Sequence, residues 1–434
     1  MPLYSKVLSP SEFGVTDLIL QTGNLLMPLV SLGIVNAVIR FGLDKTVRKS
    51  DVFSTGLAAV FAGFVILLCF YPLVSKIDFV SDQTVLMYLF VLMSSLRSIC
   101  SQFVRAKGEV RLYAVDGVLS TATTILFNVL YLVQFHWGVM GYLGAIISSD
   151  TLSVLFLFFT GRLYRHVRFK GVRLKTVRSM LKYAIPMIPN TMFWWVIHVS
   201  DRYVVSYYLG DAANGLYAVA YKIPSIVTLV ASVFLDAWQM SAITEEKNRS
   251  HFFTKVAYSY TSILFMASSL LIVMSKVIVR VLTAEESYFG AWQYIPLLVL
   301  ATVFSCLVNF LASVYMVKKN SLQSMFTMIA GAAINVVLNF ILVPIFQVNG
   351  AAFATFLSYF CVFLIRATTT QKYIRIHWSP LRLAVNTILL LTECFVMILE
   401  PDYWVWIEIA IVLAILKINF RPVFENAKKL LRAR

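Results

Sequence analysis

WQYIPLLVLATVFSCLVNFLASVYM, residues 292 to 316, runs for 25 residues without a charged side chain. At 1.5 Å per residue a helix of that length reaches about 37 Å, enough to cross a hydrocarbon layer about 30 Å thick. A helix satisfies its own backbone hydrogen bonds in lipid, so the stretch reads as a membrane-spanning helix.

Working outward from it, hydropathy places further spans near 15–41, 52–73, 84–104, 112–135, 139–160, 183–209, 215–240 and 256–274 on one side. On the other side lie 321–343, 350–369, 383–399 and 403–418, which makes thirteen in all. The composition agrees: 59% of the 434 residues are hydrophobic, 13% are charged, and mean hydropathy is +0.80, outside the range of soluble domains. The alternation of a β-barrel is absent, so the expected fold class is all-α, a polytopic transmembrane helical bundle. Trp137, Tyr183, Trp292, Tyr403 and Trp404 stand at span ends as expected interfacial anchors. Cys69, Cys100, Cys306, Cys361 and Cys394 sit inside apolar runs without metal or redox spacing and read as small packing residues.

A net charge of +16 would suit a nucleic-acid partner if it were gathered on one soluble face. Instead, 30 of the 37 Lys and Arg residues fall on alternate loops and span ends. That bias assigns those loops and the C-terminus to the cytoplasm. The richest stretch, GRLYRHVRFKGVRLKTVRSMLKY at 161–183, lies between two spans and is expected to rest on anionic headgroups rather than on nucleic acid.

A faint repeat divides the chain. Leu8 to Gly14 and Leu209 to Gly215 share their Leu-to-Gly spacing, Gly144-Ala145 matches Gly350-Ala351, and the Asn128 stretch matches the Asn335 stretch, at offsets of 201, 206 and 207 residues. Nearly equal offsets in order point to a duplicated six-span unit of parallel topology. The expected organisation is an N-terminal lobe over 1–160, a basic cytoplasmic linker over 161–182, a C-terminal lobe over 183–369, and two extra spans with a basic tail over 370–434. Two six-helix lobes require a span before Leu8, so the first helix is expected to be missing from this copy.

Ordered stretches then carry a family resemblance: LSPSEFGVTDLI (8–19), PLVSLGIVNAVIRF (28–41), YAIPMIPN (183–190), SDRYVVSYYLG (200–210), GLYAVAYKIP (215–224), VLTAEESYFGAWQYIPLLVL (281–300) and NGAAFATFLSY (349–359). Together they resemble the polysaccharide flippases of the multidrug, oligosaccharidyl-lipid and polysaccharide exporter superfamily. The resemblance implies two six-helix lobes around a central cavity with alternating access, and two extra C-terminal helices in the longer members. It further implies transfer of undecaprenyl-diphosphate-linked oligosaccharide across the bacterial inner (plasma) membrane for O-antigen, capsule or exopolysaccharide synthesis. The implied partners are that lipid-linked oligosaccharide, membrane lipids and a coupling ion, H+ or Na+. No cofactor and no catalytic metal are implied.

Charges within spans are the residue-level candidates. Arg97, Arg202 and Lys222, with Arg40 at a span end, are the basic ones expected to bind substrate. Arg202 and Lys222 stand ten residues before and after Ala212 and share one depth on a helical hairpin, either as a cationic patch for a diphosphate or with Asp201 pairing to Lys222. Arg97 either meets substrate or pairs with Asp116 or Asp150. Arg40 is either an interfacial anchor or, as the resemblance implies for its RF motif, near the cavity mouth. The acidic candidates are Asp17, Asp116, Asp150, Asp201, Asp236, Glu393 and Glu408, of which Asp17, Asp150 and Asp201 are assigned to ion coupling. His198 stands three and four residues from Asp201 and Arg202 and reads as packing or as part of their face.

Two rival classes remain in view. A membrane glycan polymerase or transferase would carry a large outer loop with clustered catalytic residues, and no HExxH, DxD, GxSxG or paired-His spacing is present. A cation-coupled multidrug antiporter of the same superfamily would share the fold, and the sign of the cavity would separate it from a flippase.

Overall fold

The computed structural model describes residues 1–44, 46–168, 172–244, 249–317 and 321–432, and among them all regular structure is helical. In chain order the main helices are α1 (Pro10–Val30), α2 (Ile34–Leu43), α3 (Lys49–Cys69), α4 (Thr84–Ala106), α5 (Val110–Asn128), α6 (Gly138–Thr160), α7 (Leu174–Ala184) and α8 (Ile188–Leu209). They continue as α9 (Asp211–Ala220), α10 (Lys222–Thr244), α11 (Arg249–Val273), α12 (Ser275–Leu282), α13 (Ile295–Val317), α14 (Ser321–Thr369), α15 (Pro380–Leu399) and α16 (Trp404–Arg432).

Ten helices among the described residues are long and apolar enough to cross a membrane. One of these contains two of the expected spans, because α14 is broken at Gln347, whose φ of 53° and ψ of −139° are not helical. The two remaining expected spans fall on α8, which is diluted by His198, Asp201 and Arg202, and on α16, which runs on into a basic tail. Every one of the thirteen expected positions therefore holds a helix.

The chain forms two compact units, Val7–Trp195, and Met1–Lys6 with Val196–Arg434. In the first, the basic segment around 161–182 packs onto its own unit. Leu163, Met180 and Ala184 are buried with Ile34, Phe53, Ile99 and Phe103, and Ser54 of α3 accepts from the Arg168 amide at 2.7 Å and donates to the His166 carbonyl at 3.2 Å. Gly63 of α3 is pressed against α1: a Cβ there would stand 1.9 Å from the Val30 carbonyl oxygen, so only hydrogen fits. On α5 the apolar side chains turn outward, with Val118 72% and Leu126 62% exposed, as a lipid-facing helix requires.

In the second unit the stretch that opened the sequence reading becomes the interior. Of the most apolar 18 residues of Glu286–Val317, which includes α13, 83% are buried, against 28% for the corresponding 18 of Val110–Gln134, because a helix apolar all round packs equally well on every side. Trp292, expected at the interface, is 7% exposed; the Lys276 ammonium lies 4.3 Å over its ring and 4.6 Å over Trp404, and pairs with Glu400. Trp137 and Tyr403 are exposed at 53% and 79%.

One expected span is interrupted. The run 15–41 is two helices, because Leu32 and Gly33 take φ values of 50° and 63°. The end of α7 forces this: a Cβ on Gly33 would lie 2.8 Å from the Ala184 carbonyl oxygen. The two segments matched by the repeat both begin helices. Ser9 and Glu12 form a reciprocal capping box ahead of Pro10, and Gly210, with φ of 84°, turns the chain into Asp211, whose carboxylate accepts from Ser206 at 2.6 Å.

Candidate functional site

Each unit holds a polar centre within its helices. In Val7–Trp195 the centre is built from two i, i+3 pairs, Ser94 with Arg97 on α4 and Asp150 with Ser153 on α6, and from Asp116 on α5. The Arg97 guanidinium donates to Asp150 at 2.9 Å and to Ser153 at 3.1 Å, and stands 3.9 Å from Asp116. Ser94 donates to Asp150 and Ser153 to Asp116. Asp116 and Asp150 are buried at 2% and 4% exposure. One guanidinium thus faces two carboxylates, and the centre carries a net charge of minus one when both are ionised. Arg97 pairs with both aspartates that the sequence offered as alternatives.

Also in this unit, the Leu32–Gly33 break opens a cavity of about 190 Å³ whose polar lining is Asn24, Ser31, Asn36, Ser95, Ser98 and Thr191. It has room for about six waters at about 30 Å³ each. Among the described residues no charged side chain lines it. Ser95 is buried, and its hydroxyl has no hydrogen-bond partner among the described residues. Arg40 lies on α2, exposed, with its guanidinium 5.9 Å from the Tyr183 ring centre. Asp17 is buried on α1 at 7% exposure.

The second unit centres on Asp201 of α8, fully buried. Its Oδ2 accepts from Tyr217 and Tyr221 at 2.7 Å each and from Thr355 at 3.3 Å. Asn335 joins from the first limb of α14, donating to Thr355 at 3.3 Å, accepting from Ser200 at 3.0 Å and from Asn339 at 3.1 Å. The Arg202 guanidinium stacks 4.7 Å over the Tyr221 ring, and His198 meets the Tyr359 hydroxyl at 2.8 Å.

The hairpin geometry corrects one expectation. The turn is centred on Gly210 rather than Ala212, so Arg202 stands eight residues before it and Lys222 twelve after. Lys222 is therefore about 6 Å deeper than Arg202, from four residues at 1.5 Å. Their surroundings differ as well: Arg202 is 8% exposed and Lys222 is exposed. The hydroxyls of Tyr217 and Tyr221, seven and eleven residues past the turn, straddle the depth of Asp201 and take the place the sequence offered to Lys222. The side chain of Asp236 lies outside the described residues.

Arg366, counted in the sequence among loop cations, is 1% exposed. It donates to Thr327 at 2.9 Å, the Val308 carbonyl at 2.8 Å, and the Ser324 carbonyl and hydroxyl at 3.1 and 3.3 Å. Among the described residues dipoles rather than a carboxylate hold this charge, which is why no charge-pair search in the sequence would find it.

The fold has solved counterparts. A lipid II flippase, MurJ, in an inward closed conformation superposes with a TM-score of 0.72 at 15% identity, covering 97% of this chain and 95% of that one. An inward-facing multidrug resistance transporter of the MATE family, in the MOP superfamily, gives 0.66 at 12% identity, with 86% and 93% covered. Among curated proteins, human multidrug and toxin extrusion protein 1 is 33% identical over 126 residues, 28% of this chain and 22% of that protein. The family model for polysaccharide biosynthesis proteins matches residues 1–239, more than half of the chain. The chain thus belongs to the polysaccharide biosynthesis protein family, and it shares its helical fold with the flippase and the MATE transporter.

Proposed function

We propose that this protein is a flippase that moves undecaprenyl-diphosphate-linked oligosaccharide units from the inner to the outer leaflet of a bacterial plasma membrane, for surface polysaccharide synthesis, driven by H+ or Na+. The observation that carries this reading is the family match over residues 1–239, which spans the whole unit containing the amide- and hydroxyl-lined cavity. Neutral donors and acceptors of that kind suit sugar hydroxyls, which cost several kcal/mol each to strip of water without replacement. A diphosphate additionally needs cations, and Arg40 and Lys222 are the exposed candidates. Arg97 and Arg202 are proposed to act from within, Arg97 by holding Asp150 and Arg202 beside Asp201.

The coupling ion is proposed to bind at Asp150 or Asp201, with Asp17 a further candidate. The centre at Arg97 has one negative charge in excess, and the Asp201 carboxylate receives the hydroxyls of Tyr217, Tyr221 and Thr355, with Asn335 behind Thr355. Both are arrangements a proton or a monovalent cation would neutralise.

A second reading, a cation-coupled multidrug antiporter, rests on the 126-residue match to the human extrusion protein. Leaflet-resolved detection of lipid-linked oligosaccharide in cells lacking the gene separates the two. Accumulation on the inner leaflet, relieved by this chain, supports the flippase; unchanged leaflet distribution with impaired efflux of a cationic dye supports the antiporter.

A further inference from the structure

The hairpin of α15 and α16 contains two carboxylates that neither polar centre uses. Asn419 Nδ2 donates to Asn386 Oδ1 at 2.6 Å, which sets residue 386 level with 419. From that level Glu393 lies seven residues further along α15 and Glu408 eleven residues back along α16, toward the same end of the hairpin. Their depths differ by about 6 Å. Both lie on the interior stripes, Asn386, Leu390, Glu393 and Met397 on one helix and Glu408, Ile411, Ile415 and Asn419 on the other, all of them buried.

Glu393 is 0% exposed and Glu408 1%. Ser269 of α11 donates to Glu393 Oε1 at 3.0 Å. Glu393 Oε2 and both carboxylate oxygens of Glu408 have no hydrogen-bond partner among the described residues.

Among the described residues, no cation is brought to them. Arg382, eleven residues from Glu393, is held by Ser262 at 2.6 Å and Asn419 at 2.7 Å, and stacks on Tyr258. Lys276 is held by Glu400 at the other end. From α11 come Tyr258, Ser262, Ser268 and Ser269, from α15 Cys394, and α13 carries no Asp, Glu, Lys, Arg or His, its titratable groups being Cys306 and Tyr315. Two ionised carboxylates without a counterion are not tolerated at such a position, and carboxyl oxygens left without donors call for a proton.

Polar groups approach the pair from one end of the hairpin. A cavity of about 20 Å³, the volume of about one water, is lined by Tyr258, Thr261, His377, Arg382 and Asn386 at the end that the charge bias assigns to the cytoplasm. Asn386 pairs with Asn419, and Glu393, held by Ser269, stands about 10 Å further along α15, from seven residues at 1.5 Å.

We propose that Glu393 and Glu408 form an exchangeable proton-binding acid pair in the C-terminal helix hairpin, separate from the polar centres at Arg97 and Asp201. A proton is taken from water as an O–H on a carboxyl, which removes one of the two neighbouring negative charges, and it returns to water on release. This assignment does not depend on which substrate the protein carries.

The test is modification of the full-length chain in liposomes by dicyclohexylcarbodiimide, which reacts with protonated carboxyls in membranes and leaves its whole mass on the acid. Peptide mass mapping is expected to find the label on Glu393 or Glu408, falling by about tenfold per pH unit over part of the range from about pH 5 to about pH 9. The Glu393→Gln, Glu408→Gln double variant is expected to take up none on this hairpin. Absence of label on both residues, labelling constant across that range, or protection by added Na+ at fixed pH would each overturn the proposal. Because the measurement is made on the unaltered chain, it stands even where the variants fold poorly.

Discussion

Replacing Arg97 by Met removes the one guanidinium shared by Asp116 and Asp150. At an effective dielectric of about 20, its attraction is about 6 kcal/mol to Asp150 at 2.9 Å and about 4 kcal/mol to Asp116 at 3.9 Å. Those gross terms are offset by desolvation, and breaking such a pair typically costs about 3–5 kcal/mol. The Arg97 side chain is 31% exposed, so the lower end, about 3 kcal/mol, is expected here. The opposite change behaves differently: Asp150→Asn leaves one cation facing one carboxylate, so stability should stay within about 1 kcal/mol of the native chain, while dependence of transport on the coupling ion is lost. In Arg97→Met, Asp150→Asn the charge returns to minus one, and part of the loss should be recovered. The assay is the thermal midpoint of purified protein in detergent for the four chains of this cycle, with ion-dependent transport measured alongside. An Arg97→Met chain as stable as the native one, or a double variant no more stable than Arg97→Met, would refute the shared-guanidinium argument.

Gly33→Ala should destabilise by about 1–2 kcal/mol through its left-handed φ alone, and by more because the new Cβ meets the Ala184 carbonyl at 2.8 Å; an unchanged thermal midpoint would count against the break being imposed by α7. His166 has its pKa lowered by burial, with the Lys107 charge adding to the effect. The unfolded chain therefore binds the proton first, and packing of the 163–168 segment should weaken as pH falls below about 6.5. Limited proteolysis within 161–182 across that pH range is expected to show faster cleavage at the acid end, and His166→Gln is expected to flatten the profile.

The spans were legible because lipid leaves a long apolar run few alternatives to a helix, and the spans read at 321–343 and 350–369 left between them the gap in which Gln347 breaks α14. The interruption at Leu32–Gly33 was not legible, since it is imposed by a carbonyl on α7, some 150 residues away in sequence. The Arg97 centre was readable in part: Asp116 and Asp150 were named as partners, but the sequence posed them as alternatives where the structure uses both. For Asp201 the hairpin suggested Lys222, and a two-residue error in the turn hid the tyrosines that occupy that depth. Thr355 and Asn335 had no local signal, because only packing of α14 brings them to Asp201.

The acceptors of Arg366 have a bearing on how the chain is made. Val308, Ser324 and Thr327 all precede it, by 58, 42 and 39 residues, so a ribosome delivers the guanidinium after every group that will receive it. Asp201 stands in the reverse order, with Tyr217 and Tyr221 following by 16 and 20 residues but Thr355 by 154. During synthesis the arginine can dock as it emerges, whereas the aspartate waits for most of the second unit before its last donor arrives. Truncated nascent chains that end just past Arg366 should therefore already hold it shielded, whereas chains ending between Tyr221 and Thr355 should leave the surroundings of Asp201 incomplete.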